Sequence, residues 1–149
     1  VCGLKALLVS VPLSTSLCLS LWRIIKFMNK KHVLICEDDT GILDVASIVL
    51  ESSGYTVTAL PETTNIIEII KDVQPDVILL DLWIAGKQGD EITRELKASQ
   101  ETAHIPVIIF SANKDTELIA RRAGADDYLT KPFDIEELEQ MVKKYLPNY

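Results

Sequence analysis

Short apolar runs that each end at an ionisable residue constrain the fold of this chain more than any other feature. One run, 33–36, precedes Glu37 and Asp38, a second, 77–80, precedes Asp81, and the segment 127–130 precedes Lys131. Runs of this length with β-branched residues are typical of strands buried on both faces of a parallel sheet. The ionisable residues are therefore predicted to gather at the carboxyl ends of the strands, where ligands bind in open α/β sheets.

The segments between the runs carry apolar residues at helical spacing. After the first strand, Ile42, Val45, Ala46 and Val49 share one helix face, and Gly54 follows where a helix ends. Predicted strands lie at 33–36, 55–59, 77–80, 105–110 and 125–129, and predicted helices at 40–53, 61–73, around 92–96, 118–122 and 134–145. Because such alternation implies right-handed βαβ crossovers, the chain is predicted to be an α/β protein with a doubly wound, five-stranded parallel sheet and five helices.

Helix ends give more local expectations. Asp39 or Thr40 is expected to cap the first helix, and Pro61 is expected in the first turn of the second. A loop containing Gly86 and Gly89 is expected before the third helix. Asp134 is expected to open the last helix with a capping box completed three residues later.

The first 27 residues differ in composition from the rest. They contain no acidic residue, and an apolar stretch of about 17 residues is interrupted by Pro12 and hydroxyl side chains. Two interpretations stand: an upstream extension, or an N-terminal membrane anchor that leaves the rest in the cytoplasm. The predicted organisation is a leader at 1–27 and one domain at 28–149. Since the chain stops soon after the last helix, a single-domain module without an attached effector is expected.

Charge and cysteine content narrow the functional class. The net charge is -7, and because the first 28 residues hold three basic and no acidic residues, the remainder carries 12 basic against 22 acidic residues. An acidic body of this kind repels phosphates, so direct nucleic-acid binding is not expected. Cys2, Cys18 and Cys36 have no metal-like spacing and are expected to be reduced thiols of a cytoplasmic protein.

The acidic residues predict a metal-dependent site. If the first and third strands are neighbours, Glu37, Asp38 and Asp81 converge, and two unit charges about 4 Å apart repel by about 4 kcal/mol at an effective dielectric near 20. Mg²⁺ relieves such crowding and binds through carboxylates, phosphate oxygens and water. With Lys131 and the Ser111 hydroxyl facing a phosphate, the set predicts a phosphoryl-accepting site whose nucleophile is Asp81.

From about Lys31 to Leu146 the sequence resembles a response-regulator receiver domain of two-component signalling. The resemblance implies a flavodoxin-like sheet with strand order 2-1-3-4-5 and a cis bond between Lys131 and Pro132. One departure is Ala85, which stands where the family usually has proline. The resemblance also implies a role for each site residue. Glu37 and Asp38 would form an acidic pair, with Asp38 the direct metal ligand and Glu37 acting largely through water, and Asp81 would be phosphorylated. The remaining roles are a metal-binding backbone carbonyl at Trp83, a switch hydroxyl at Ser111, a switch aromatic at Tyr128 and a phosphate-binding lysine at Lys131.

The implied function is that of a phosphoacceptor which assists its own phosphorylation and dephosphorylation. A histidine kinase or phosphotransfer protein would donate the phosphoryl group to Asp81, and the face of helix four and strand five would then bind a target or form a dimer. Tyr128 is either a switch or an ordinary strand aromatic that packs on helix four. The alternative is a small aspartate-based phosphohydrolase of the haloacid-dehalogenase kind, because Asp39 stands two residues after Glu37.

Overall fold

The computed structural model describes residues 20, 21, 24, 30–84 and 86–147. Backbone contacts divide the chain into a unit at 1–30 and a unit at 31–149, and all of the following concerns the second unit. The expected leader lies outside the described residues except at three positions, and Ala85 lies outside them too. No helix among the described residues combines the length and the apolar character that crossing a membrane requires.

Seven strands are described, and five of them form one parallel sheet. The strands are β1 (His32–Cys36), β2 (Thr56–Leu60), β3 (Val77–Asp81), β4 (Trp83–Ile84), β5 (Lys87–Gln88), β6 (Val107–Ser111) and β7 (Asp127–Thr130). The sheet has the order β2-β1-β3-β6-β7, which is 2-1-3-4-5 when its five strands are counted along the chain. The predicted fold class and strand order are confirmed.

Five helices within residues 30–147 connect the strands. They are α1 (Thr40–Ser52), α2 (Ile66–Val73), α3 (Gly89–Ala98), α4 (Thr116–Ala123) and α5 (Ile135–Tyr145). Asp39 caps α1 by accepting hydrogen bonds from the backbone N–H groups of Gly41 and Ile42. Asp134 and Glu137 form the expected capping box at the start of α5. Both helix starts therefore follow the capping signals in the sequence.

The two faces of the sheet bury separate apolar clusters. On one face, side chains of β1 and β3 such as Ile35 and Leu79 pack against α1 and α5. On the other face, Leu34, Ile78 and Leu80 pack against α2 and α3. Because strands of the central sheet are buried on both sides, their sequences are continuously apolar and only their ends can carry charge.

Three local expectations are wrong. Pro61 lies in a bend before α2, which begins at Ile66 after Asn65 adopts a left-handed backbone conformation with φ 59°. The expected loop before α3 contains a short antiparallel hairpin, in which Trp83 pairs with Gln88. The last two strands of the sheet begin two residues later than predicted, at Val107 and Asp127. Backbone pairing, which apolar patterning alone does not specify, decides these boundaries.

Candidate functional site

Register brings three carboxylates to one edge of the sheet. Cys36 of β1 lies beside Leu80 of β3, so Glu37 and Asp81 follow at the same level. One carboxylate oxygen from each of Glu37, Asp38 and Asp81 lies within 4.8 Å of the other two. The predicted convergence of the acidic residues is therefore present in the structure.

Lys131 lies among these carboxylates. Its Nζ donates a hydrogen bond to Glu37 Oε2 and lies 3.2 Å from Asp81 Oδ2. The Lys131 ammonium also lies 4.8 Å from the centre of the Phe110 ring, an arrangement that favours a cation. One lysine thus partly neutralises a group of three acids, and the site retains an excess of negative charge.

Glu37 is the most buried acid of the group. Burial raises the pKa of its carboxyl, hydrogen bonds from Lys131 and the Asp39 backbone N–H oppose that rise, and the charge of Asp81 adds to it. The net direction is upward. A buried carboxylate beside a second one favours any additional cation that can share the site, because such a cation removes the repulsion.

The donor set fits a hard divalent cation. Three carboxylates offer oxygen ligands, which Mg²⁺ prefers in proteins. Asp38 is exposed and Asp81 is buried, so the group opens to solvent on the side of Asp38. Trp83 lies two residues beyond Asp81 in β4, and the metal-binding role of its backbone carbonyl stays a prediction.

Ser111 lies at the end of β6, next to β3 in the sheet. Its hydroxyl is buried and accepts a hydrogen bond from the Asn113 backbone N–H at 3.2 Å. Its backbone carbonyl accepts a hydrogen bond from the Lys131 N–H at 2.8 Å. The two residues predicted to contact a phosphate are therefore joined directly through the backbone.

Tyr128 is further removed from the carboxylates. It pairs with Ile109 in the sheet and packs, half-buried, on a cluster that includes Ala120 of α4. The nearby Glu117 carboxylate, also on α4, raises the pKa of its hydroxyl. This position agrees with an aromatic that packs on α4, and its role as a switch stays a prediction.

The sequence interpretation missed how closely Gly89 approaches the site. A Cβ at Gly89 would lie 2.3 Å from the Asp81 carbonyl oxygen, far inside van der Waals contact. The Gly89 N–H donates a hydrogen bond to the Leu82 carbonyl at 2.8 Å. The glycine is visible in the sequence, but only the fold shows that it is needed for close backbone approach.

Comparison with known proteins now identifies the family. Residues 33–143 match the response regulator receiver domain family. The chain belongs to this family, a class of signalling modules in two-component systems.

Relatives and solved structures agree with that assignment. The chain is 36% identical over 121 residues to the phosphate regulon transcriptional regulatory protein PhoB of Pseudomonas aeruginosa, a match that covers 80% of this chain and 53% of PhoB. A response regulator from Chloroflexus aurantiacus superposes with a TM-score of 0.75 at 27% identity, covering 80% of this chain and 100% of that one. The receiver domain of a sensor histidine kinase from Pseudomonas aeruginosa, solved with magnesium in its active-site cleft, gives a TM-score of 0.72 at 27% identity and covers 80% and 99%.

The comparisons also limit what can be said about the activity of the whole protein and about nucleic-acid binding. The chain spans about half the length of the curated relatives that it matches, so the activities of those whole proteins are not established for it. One of them, 37% identical over 117 residues, is the DNA-binding dual master transcriptional regulator RpaA of Synechocystis, with 77% of this chain and 48% of RpaA covered. The expected absence of nucleic-acid contact is therefore not supported, although the acidic charge of this segment still disfavours contact through the segment itself.

Proposed function

We propose that this receiver domain accepts a phosphoryl group on Asp81 in a Mg²⁺-dependent reaction. The donor is the phosphohistidine of a sensor histidine kinase or of a histidine phosphotransfer protein, and the reaction takes place in the cytoplasm. The observation that carries the proposal is the convergence of Glu37, Asp38 and Asp81 around Lys131 at the carboxyl end of the sheet. Acids without a chemical role are disfavoured at such close range.

Asp81 is the best-placed nucleophile of the three acids. It ends the central strand β3, and only its Oδ2 is bound by Lys131, which leaves Oδ1 for attack. In the transfer, a carboxylate oxygen forms a bond to phosphorus while the bond from phosphorus to the donor's imidazole nitrogen breaks, and the imidazole leaves with the electron pair. The product is an acyl phosphate on Asp81.

The charged and polar groups around Asp81 would stabilise the phosphoryl group during its transfer. Asp38, Asp81 and the Trp83 backbone carbonyl would hold Mg²⁺ directly, and Glu37 would contribute through water. When bound, the ion neutralises charge on the phosphoryl oxygens. Lys131 supplies a positive charge on another side of the phosphoryl group, and the Ser111 hydroxyl donates a hydrogen bond to one of its oxygens. In this way the domain assists its own phosphorylation and, with water as the attacking group, its dephosphorylation.

The same contacts link phosphorylation to a change at the α4 and β7 face. The Lys131 N–H is bonded to the Ser111 carbonyl, so a pull on either residue is transmitted to the ends of β6 and β7. Tyr128 of β7 packs against α4, and the Glu117 carboxylate of α4 raises the pKa of its hydroxyl, so a shift of β7 or α4 would change the surroundings of Tyr128. This face would then bind a downstream target protein or a second copy of the domain.

Direct phosphorylation tests the proposal. The whole chain is incubated with Mg²⁺ and a small acyl phosphate such as acetyl phosphate, and intact mass is measured. One added phosphoryl group is expected in the wild type and in Asp44→Asn, a control at an exposed acid on α1. None is expected in Asp81→Asn, and uptake by that variant would refute the assignment of the acceptor.

The phosphohydrolase alternative is disfavoured by the position of Asp39. That interpretation needs an acid two residues after the nucleophile to act on the substrate, but the Asp39 Oδ1 accepts two backbone hydrogen bonds as the cap of α1. Sustained turnover of p-nitrophenyl phosphate, lost in Glu37→Gln and retained in Asp81→Asn, would favour the phosphohydrolase instead.

A further inference from the structure

We propose that a cavity next to Asp81 binds an arginine side chain of the protein that donates the phosphoryl group. The cavity has a volume of about 260 Å³ and is lined by Leu82, Trp83, Gln88, Asp90, Asn113 and Ile119. This inference rests on the proposed function, because it names the side chain by which the phosphohistidine protein would be recognised. It gives the Trp83 indole and the Asp90 carboxylate a part in binding that protein.

The cavity adjoins the proposed site of phosphoryl transfer. Leu82 and Trp83 directly follow Asp81 in the chain, and the Asn113 backbone N–H donates a hydrogen bond to the Ser111 hydroxyl at 3.2 Å. A protein that brings a phosphohistidine to Asp81 therefore also covers the cavity. Pockets for whole small molecules commonly have volumes of about 300–1,000 Å³, so a cavity of this size suits a single side chain.

An exposed aromatic ring forms one wall of the cavity. Trp83 is 56% exposed, although it is a large apolar side chain, whereas Leu82 is buried and Ile119 is half-buried. The face of an indole attracts a cation, and tryptophan is the aromatic residue that does so best. Among cationic side chains arginine fits better than lysine, because its planar guanidinium stacks on a ring.

The Asp90 carboxylate gives the cavity a negative charge. None of the described residues that line the cavity is basic. The Asp90 Oδ2 accepts a hydrogen bond from Arg94 at 2.8 Å, and its Oδ1 has no hydrogen-bond partner within residues 30–84 and 86–147. Since a guanidinium has five N–H donors in one plane, it can bond to this carboxylate while its face lies on the indole.

Other kinds of occupant fit this lining less well. An apolar side chain would remove the Asp90 carboxylate from water without supplying a hydrogen-bond donor, which costs free energy. An anionic side chain would be repelled by Asp90 and by a protein whose net charge is -7. A planar cation satisfies the carboxylate and the indole together.

Arg94 competes with an arginine that enters the cavity. It lies one turn after Asp90 on α3, and its side chain is 52% exposed while that of Asp90 is 12% exposed. Ion pairs at this spacing on a helix surface are weak, so an arginine from a partner can share the carboxylate or displace Arg94 from it. Removal of Arg94 should therefore increase the affinity of the cavity for arginine.

Fluorescence titration of Trp83 tests the proposal. The chain has two tryptophans, so Trp22→Phe in the full chain leaves Trp83 as the only reporter. The probe is N-acetyl-arginine amide, and the control is N-acetyl-citrulline amide, which has nearly the same shape but no charge. We expect a saturable change with the arginine probe and binding of citrulline that is at least about tenfold weaker, the scale of one charge-assisted hydrogen bond. Equal affinities for the two probes would overturn the proposal.

Two substitutions on α3, made in the same single-tryptophan background, should shift the affinity in opposite directions. Asp90→Asn should weaken binding of the arginine probe about tenfold, and Arg94→Gln should strengthen it about threefold. Arg121→Gln is the matched control, because it breaks a pair of the same spacing with Glu117 on α4, and it should leave the affinity unchanged. Undiminished binding in Asp90→Asn, or no gain in Arg94→Gln over Arg121→Gln, would overturn the proposal, and the second variant guards against misfolding of the first.

Titration with free arginine distinguishes a side chain of a partner from a free amino acid. A site that recognises only the guanidinium should bind free arginine no more tightly than N-acetyl-arginine amide. Free arginine that binds at least about tenfold more tightly would overturn the assignment to a partner protein, because its ammonium and carboxylate would then be recognised as well. No titration involves phosphoryl transfer, so failure of Asp81 to accept phosphate would refute the proposed function while the titrations still decide whether the cavity binds arginine.

Discussion

The two ends of β7 each carry a lysine–carboxylate cluster, and the clusters are built in opposite ways. At the amino end, Asp127 is bound by Lys144, the Tyr145 hydroxyl and the Tyr128 backbone N–H. At the carboxyl end, one lysine, Lys131, is shared by Glu37 and Asp81. At the amino end three hydrogen-bond donors surround one carboxylate, whereas at the carboxyl end two carboxylates share one lysine.

Burial and pKa values follow this difference. Lys144 is 63% exposed, whereas Lys131 is 15% exposed and its partner Glu37 is 1% exposed. Burial alone would raise the pKa of Asp127, but the bonds from Lys144, Tyr128 and Tyr145 outweigh it and the net direction is downward. For Glu37 the net direction is upward. The amino end is a satisfied structural contact, and the carboxyl end retains the unbalanced charge that a ligand can use.

We expect the largest difference in phosphoryl uptake when the lysine at each end of β7 is replaced by glutamine. Lys131→Gln should slow phosphoryl uptake from acetyl phosphate about 100-fold, because it removes a preorganised positive charge from the transferring group. Lys144→Gln should leave uptake within about twofold of wild type. Initial rates of phosphoprotein formation by mass spectrometry measure both, and equal rates in the two variants would abolish the functional distinction.

Gly89→Ala tests how much the carboxyl end depends on close backbone packing. The new Cβ would meet the Asp81 carbonyl oxygen at 2.3 Å, so we expect a loss of about 2–3 kcal/mol in the free energy of unfolding. Gly54→Ala is the control: φ is 96° there but the surrounding space is open, and a cost of about 1 kcal/mol is expected. Urea denaturation measures both, and a smaller loss for Gly89→Ala than for Gly54→Ala would contradict the close approach.

Trp83→Ala tests protection of the proposed acyl phosphate. Trp83, two residues after Asp81, lines a cavity of about 260 Å³ together with Leu82 and Asn113. We expect its removal to admit water and shorten the acyl phosphate half-life about threefold. Leu118→Ala, which removes an exposed apolar side chain from α4, is the control and should not change the half-life. An unchanged half-life in Trp83→Ala would show that the indole does not shield the phosphate.

Lys144→Gln should have a small effect on stability. The Lys144 Nζ lies 2.6 Å from Asp127 Oδ2, but the lysine is mostly exposed and its pair is screened by solvent. We expect a loss of no more than about 1 kcal/mol in the free energy of unfolding. A loss of several kcal/mol in urea denaturation would mean that the lysine and carboxylate at the amino end of β7 interact as strongly as those at its carboxyl end.

The pH dependence of Asp127 should be the smallest effect. Its pKa is lower in the folded state than the ordinary value of 3.8, so its stabilising contribution is present above that value and is lost as the pH falls through the folded pKa. The stability difference between wild type and Asp127→Asn should therefore be largest near neutral pH and shrink below about pH 4, as urea midpoints across that range would show. A difference that grows on acidification would have the wrong sign.

The site is largely predictable because its residues directly follow strands. Val77–Asp81 is apolar up to its last residue, so the apolar pattern alone is enough to put Asp81 at the sheet edge. The strand order that places β1 beside β3 came from the resemblance to receiver domains, and with that order the proximity of Glu37 and Asp81 follows from the register of neighbouring strands. Hydrophobic patterning and crossover handedness predict a parallel sheet with the acids at one edge, but they do not specify which strands are neighbours.

The rest depends on contacts between residues distant in sequence. The hairpin at Trp83–Ile84 and Lys87–Gln88 has strands of only two residues, too short for any periodic signal. Pro61 is well suited to a helix start, yet backbone pairing of β2 extends to Leu60 and α2 begins at Ile66. Likewise, no local pattern shows that Glu37 has both oxygens bound, because one donor is 94 residues away.

Cys36, the last residue of β1, has a practical consequence for chemical labelling. Burial, with added repulsion from Glu37, Asp81 and Asp38, raises the pKa of its thiol to about 12, and the Sγ faces the Glu62 carbonyl. At neutral pH such a thiol is almost entirely protonated, and thiolate is the species that reacts with maleimides. A fluorophore or spin label aimed at a cysteine introduced on α4 would therefore bypass Cys36, even though this thiol is next to the clustered acids Glu37 and Asp38.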